Sequence, residues 1–399
     1  MRGRLLSAFF IGCAIICILP GTAQTQRKPI TELPEIRELP NPFTFLDRST
    51  VRSKADWERR RSELKGLFQE YVYGALPARP ERMTITRGKP VTDKRNNLTV
   101  EDIDLILQHE SRTLTLIMRL ALPLNARNKA PVIVQGAIPP GFGAADSTAA
   151  LSHFSAYTNR GYAVAELNFQ QVARDNKESA PEDGVYALMG NRLDCGTLMA
   201  WAWGIQRVID AVATMPEIDV SRVIVTGHSR YGKAALIAGA FDERIALTVP
   251  SHSGCAGVAP YRFIYGKSEQ LQNIVGFAPY WFRQSLDEFV RHVDRLPVDQ
   301  HLLLALVAPR GLLCAEGTLD AWANPEGAQL TYKAAGKVYS FLEAGDKLSI
   351  RYRPVGHVPN VDDLLEYADH LFCDRRLSED FGKLPYPDEP SGFTWDIPR

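Results

Sequence analysis

Little in this 399-residue chain points to a charged partner. Lys plus Arg and Asp plus Glu both number 46, so the formal net charge is zero. Neither nucleic acid nor an anionic membrane surface is favoured as a ligand. No long charged or low-complexity run marks a disordered segment, and no internal repeat is visible. Metal and phosphate chemistry lack their usual carriers. Beyond residue 23 no Cys-x-x-Cys pair remains, the histidines are scattered, and no phosphate-cradling glycine loop follows a strand. No metal and no cofactor is expected. Cysteine is also scarce. Cys195, Cys255, Cys314 and Cys373 lie beyond residue 23; they allow at most two disulfides, in three pairings, which a core this large does not need. Buried free thiols are the other reading.

The first 23 residues read as a leader. Arg2 and Arg4 precede an apolar stretch at 5–19, and Gly21-Thr22-Ala23 follow. Charged, apolar and small segments in that order make a secretory signal, with cleavage after Ala23. The run is short for a membrane span. The chain is expected to be exported, periplasmic or secreted, to have no stable membrane partner, and to act as a monomer.

Residues 24–50, with Pro29, Pro34, Pro40 and Pro42, read as an extended arm on the surface, and 51–399 as one catalytic domain. A helix is predicted over 55–73, where Trp57, Leu64, Leu67, Phe68 and Tyr71 recur at three- and four-residue steps. Residues 98–107 and 114–122 form a predicted hairpin. Short buried-type strands follow at 131–135, 162–167, 223–226, 245–249, 312–315 and 349–352. Helical stretches stand at 152–159, 198–213 and 361–372, with a polar loop at 170–183 and an aromatic insertion at 255–300. Strands alternating with helices imply an α/β fold, a mostly parallel sheet covered on both faces.

The stretch that organises the rest is Gly227-His228-Ser229-Arg230-Tyr231-Gly232-Lys233, between the strand at 223–226 and a run of small helix-compatible residues. A serine on a sharp strand-to-helix turn is the nucleophile elbow of α/β-hydrolases, a three-layer sandwich fold. The helix start offers free N–H groups to a developing oxyanion. The usual spacing is Gly-x-Ser-x-Gly, and here the second glycine comes one residue late. The loop after the strand at 131–135, residues 136–141, is where such folds draw a second oxyanion N–H.

A serine hydroxyl needs an imidazole to take its proton and an acid to orient that imidazole. In this fold both come after the serine. His357, beside Gly356 in the loop after the last strand, is the candidate base, whereas His370 lies within the terminal helix. Asp320, in Glu316-Gly317-Thr318-Leu319-Asp320 just past a buried strand, is the candidate acid, with Glu316 in reserve.

The elbow resembles the Gly-x-Ser-Arg-x-Gly-Lys signature of glucuronoyl esterases, which cleave esters between lignin alcohols and the glucuronate groups of xylan. The likeness extends to residues 57–77, to 197–210 with Trp201-Ala202-Trp203-Gly204, to Pro279-Tyr280-Trp281-Phe282, and to Asp320-Ala321-Trp322-Ala323-Asn324-Pro325. It implies a secreted serine esterase acting on glucuronoxylan or a related carbohydrate ester. Ser229 would be its nucleophile, His357 its base, and Arg230 a guanidinium added to the oxyanion hole. Lys233 would contact the uronate sugar, and Trp322 would form an aromatic wall. Two departures stand out. Where some members carry the acid in Glu-Ser-Gly, this chain has His252-Ser253-Gly254, which leaves the acid to the Asp320 loop. Where the family has Gly-Glu, the glutamate binding a sugar hydroxyl, the sequence around 265–269 offers Lys267. That reversed charge makes acetyl-xylan or another carboxylic ester the alternative substrate. The missing Glu-Ser-Gly makes a catalytically weak carbohydrate-binding relative a third reading.

Overall fold

The computed structural model describes residues 28–124, 126, 128–137, 152–176, 183–191 and 193–398. The leader, with its cleavage point at Ala23, and residues 138–141 of the expected oxyanion loop lie outside them. Among the described residues ten strands form one sheet: β1 (Arg82–Arg87), β2 (Val91–Asp93), β3 (Leu98–His109), β4 (Arg112–Pro123), β5 (Ala130–Gly136), β6 (Ala163–Leu167), β7 (Ile218–His228), β8 (Ile245–Ser251), β9 (Gly311–Gly317) and β10 (Leu348–Arg353). Their order is β1-β3-β4-β6-β5-β7-β8-β9-β10, with β2 paired to β3. Pairing is antiparallel from β1 to β6 and parallel from β6 onward.

Alternation along the parallel strands fixes the layers, because successive side chains point to opposite faces. Val132 and Val134 enter one apolar core while Ile133 enters another. Val223 and Val225 divide from Ile224, and Leu312 and Cys314 from Leu313, in the same way. The five longest helices among the described residues are α1 (Lys54–Phe68), α2 (Thr197–Val212), α3 (Arg230–Phe241), α4 (Pro325–Phe341) and α5 (Val361–Cys373). The first core is covered by α1 to α4, the second by α5 and a single turn at Ser155–Thr158. The result is a three-layer α/β-hydrolase sandwich.

The predicted helix over 55–73 is α1 followed by a π-type turn, Gln69–Tyr73, that ends at Gly74 with φ 77°. A capping box between Ser53 and Asp56 starts it. The predicted hairpin is β3–β4, turning at Glu110. Inside the loop expected at 170–183, Phe169–Val172 makes one helical turn. The edge strands β1 and β2 carry mostly exposed side chains and gave no apolar signal.

The N-terminal arm is extended, but it does not merely lie on the surface. Leu39 and Phe43 are buried, and its backbone supplies acceptors that buried donors need. Pro40 O is 2.7 Å from His301 Nε2, and Ile36 O accepts from Arg262 Nε at 2.9 Å. The C-terminal tail closes over it, with Leu39 N donating to Gly392 O (2.8 Å) and Trp395 Nε1 to Leu39 O (2.7 Å). Prolines shaped the segment, and its spaced apolar side chains seated it. All four described cysteines are free.

Candidate active site

Strand β7 runs straight into α3, and the joint falls on Ser229. Its backbone is left-handed, φ 58° and ψ −126°, a conformation that costs a non-glycine residue about 1–3 kcal/mol and persists only where the surroundings enforce it. Two close approaches enforce it. A Cβ on Gly227 would lie 2.3 Å from Tyr231 O, and one on Gly232 would lie 2.9 Å from Gly227 O and 3.1 Å from Ser251 O. The late glycine is thus required where α3 crosses the elbow and the end of β8. Ser229 N is held by Ser251 O at 2.9 Å. Arg230 opens α3, so its N–H belongs to the helix start that has no acceptor inside the helix. On the facing loop, Ala137 N is already bonded to Leu167 O at 2.8 Å.

The loops after β9 and β10 run side by side. Thr318 N donates to Arg353 O (2.8 Å) and Leu319 N to Val355 O (3.1 Å). This pairing brings Asp320 to His357: His357 Nδ1 is 2.7 Å from Asp320 Oδ2. A second imidazole shares the same oxygen, His252 Nδ1 at 2.8 Å. An ionised carboxylate only accepts hydrogen bonds, so each Nδ1 carries a proton and the tautomer of each ring is set by Asp320. Burial works to raise the Asp320 carboxyl; the bonds from His252 and then His357 outweigh it and hold the group well below the usual carboxylate range. His252 and Asp320 are buried, whereas His357 is exposed. A third ring, His228, lies with its centroid 4.4 Å from that of His357. Burial first, then the neighbouring His357 and His252, push it down to about 4, so it stays neutral at working pH.

Glu316, four residues before Asp320, goes elsewhere. Both its oxygens are buried without a hydrogen-bond partner. Burial, with the Asp320 charge next, raises its carboxyl well above the usual range, so it is a neutral acid. Lys233, expected to face the pocket with Ser229, is instead buried under the elbow. Its ammonium donates to Ser253 O and Cys255 O (both 2.6 Å) and to Glu269 Oε2 (3.1 Å), which uses all three of its protons.

Glu269 is the residue that motif counting missed. Lys267, two positions earlier, is exposed, and the carboxylate facing Lys233 belongs to Glu269. Glu269 N donates to Trp322 O at 2.9 Å, which ties this segment to the Asp320 loop. Trp322 itself is 51% exposed, a free indole face beside the site. Arg230 is half-exposed, with its guanidinium against the Asp175 carboxylate. Among the described residues the one group with metal-ligating spacing is His252, Asp320 and His357, whose ligating atoms lie within 4.8 Å of one another. Their mutual hydrogen bonds account for that closeness.

Residues 106–343 match the family described as "Glucuronyl esterase, fungi". A 4-O-methyl-glucuronoyl methylesterase of Schizophyllum commune is 35% identical over 76% of this chain and 73% of its own length. Another, from Phanerochaete chrysosporium, is 33% identical over 77% of this chain, which covers 63% of that protein, less than two thirds of it. Among solved structures, a carbohydrate esterase family 15 glucuronoyl esterase from Caldicellulosiruptor kristjansonii superposes with a TM-score of 0.78 at 32% identity. That match covers 93% of this chain and 100% of that one. A glucuronoyl esterase variant from Sporotrichum thermophile, solved with methyl 4-O-methyl-β-D-glucopyranuronate, superposes with a TM-score of 0.70 at 26% identity, covering 87% and 91%.

Proposed function

The chain belongs to the glucuronoyl esterase family, and on that premise we propose that it is an exported serine carboxylic-ester hydrolase cleaving glucuronate esters through an acyl-enzyme. Ser229 Oγ attacks the ester carbonyl while His357 Nε2 takes its proton. Asp320 holds the His357 Nδ1–H and stabilises the imidazolium that forms. The oxyanion is met by the Arg230 N–H at the start of α3 and by the Arg230 guanidinium, charge that helps most in the transition state. His357 returns the proton to the departing alkoxide, and a water molecule, activated by the same imidazole, releases the uronic acid and restores Ser229. Trp322 offers its exposed face to the sugar. Lys233 acts from below, through Glu269 and the two carbonyls it fixes.

The observation that carries this reading is the 2.7 Å contact of Asp320 with His357, whose ring lies 4.4 Å from that of His228, the neighbour in sequence of a serine held at positive φ. The carboxylate paired with Lys233 is that of Glu269, so a glutamate is present in this segment beside Lys267, which favours the glucuronate ester over the acetyl ester. The test is a substrate panel on the mature protein. Benzyl glucuronate ester should be hydrolysed well ahead of acetylated xylan, and Ser229→Ala should abolish turnover without loss of fold. Retained turnover in that variant would remove Ser229 from the mechanism. Failure of a fluorophosphonate to label Ser229, with glucuronoxylan still bound, would turn the reading to a binding protein.

A further inference from the structure

The proposed reaction needs the Arg230 guanidinium at a fixed place, and nothing on α3 itself holds it there. We infer that Asp175 is the positioning residue for Arg230, with the Trp281 indole as the platform on which the guanidinium lies. The inference rests on the oxyanion role proposed for Arg230.

Three donors from two separate parts of the chain converge on the Asp175 carboxylate. Oδ1 accepts from the Tyr280 hydroxyl at 2.9 Å and from Trp281 Nε1 at 2.7 Å, and Oδ2 accepts from Arg230 Nη1. The Asp175 side chain is 10% exposed against 45% for Arg230, so the anchor is sheltered and the cation reaches out from it. The Arg230 guanidinium carbon stands 5.1 Å from the centre of the Trp281 ring, within cation–π range. Trp281 is itself fixed: it is 2% exposed, its carbonyl lies where a Cβ on Gly196 would reach it at 2.3 Å, and Phe277 packs edge-on at 5.2 Å. Asp175 N donates to Gln170 Oε1 at 2.8 Å, which fixes the backbone that bears the carboxylate. The donors are also constant. Burial, with the Asp175 charge next, pushes the Tyr280 phenol up to about 12, so it stays protonated where an ester hydrolase works.

The physical consequence is preorganisation. An unrestrained arginine carries about 2 kcal/mol of rotamer freedom, and a charge that must reorient during reaction stabilises the oxyanion less than one already in place. Asp175 removes that freedom before substrate arrives. It acts through Arg230 and is a positioning residue, not a catalytic one.

Asp175→Asn separates this role from a structural one, because the amide keeps an oxygen for Tyr280 and Trp281 and loses the charge that holds Arg230. With a benzyl glucuronate ester, Arg230→Ala should lower kcat about 100-fold. Asp175→Asn should lower kcat about 10- to 30-fold with KM within about threefold, and should have less than about a twofold effect in the Arg230→Ala background. Equal losses in both backgrounds, or no loss in either, would overturn the inference while leaving Arg230 in its role. An unaffected Arg230→Ala enzyme would overturn the oxyanion assignment and this inference together. Should the Asn variant not fold, Tyr280→Phe runs the same cycle by removing one anchor, with about a threefold loss of kcat that vanishes beside Arg230→Ala; a loss that persists there would overturn the inference equally.

Discussion

Rim and floor of the elbow both bury ionisable groups, and they satisfy them differently. On the rim, Asp320 keeps its charge by sharing one oxygen between two imidazoles, of which His357 reaches solvent. On the floor, Lys233 spends its charge on Glu269 and two carbonyls, and Glu316 keeps its proton. Asp320 and Glu316 are four residues apart, yet their carboxyls move in opposite directions from the ordinary range. Hydrogen bonding to the ionised form decides the first and desolvation decides the second. The rim is arranged for a proton to come and go; the floor is arranged so that none does.

The sharpest way to break this contrast is Asp320→Asn, which should lower kcat by roughly 10³–10⁴-fold on a benzyl glucuronate ester, since the imidazole loses both its tautomer lock and its counter-charge. Glu316→Gln in the same assay should stay within a few-fold of the parent; a larger loss there than at Asp320 would exchange the two roles. On the floor, Lys233→Met leaves Glu269 buried and unpaired and should cost about 3–5 kcal/mol of stability, read from denaturant midpoints. A midpoint unchanged by that substitution would mean that the pair is open to water. Part of the loss should return when Glu269→Gln is added.

The pH dependence of stability separates the two carboxyls further. Unfolded Asp320 titrates near 3.8 and the folded group lower, so its contribution is present above about pH 4 and is lost as pH falls through the folded value. Glu316 has the opposite sign. Unfolded, it ionises near 4.5, while the folded group keeps its proton; the folded state then binds more protons and stability falls as pH rises above 4.5. Glu316→Gln should therefore be stabilising at neutral pH and lose that gain by pH 4, measured as Tm against pH. A gain of equal size at both pH values would mean that Glu316 does not titrate on unfolding.

Much of the fold could be read because the parallel strands are buried on both faces and appear as short apolar runs, as at 223–226 and 312–315. The edge strands β1 and β2 could not, since they bury little. Helix α4 had a signal that went unused: Asn324 caps it, Pro325 occupies its first turn, and Ala328, Ala335 and Val338 recur on its inner face. At the site, residue types at fixed spacing pointed to Ser229, Asp320 and His357, because elbow and loop ends are local features. Three long-range meetings stayed out of reach: Glu269 with Lys233, His252 with Asp320, and Asp175 with Arg230. The misreading of Lys267 has the same source. Position along a motif named a residue two places away from the one whose side chain turns inward.

The seat of the N-terminal arm ties together two stretches far apart in the sequence. The arm bonds to Gly392 and is covered by Trp395, residues far from it in sequence, so its docking waits on a non-local contact. Without that segment Leu39 has no Gly392 to bond and no indole N–H on its carbonyl. Docking of the arm thus depends on the segment that carries Gly392 and Trp395, and Trp395→Ala should show the arm first to proteases.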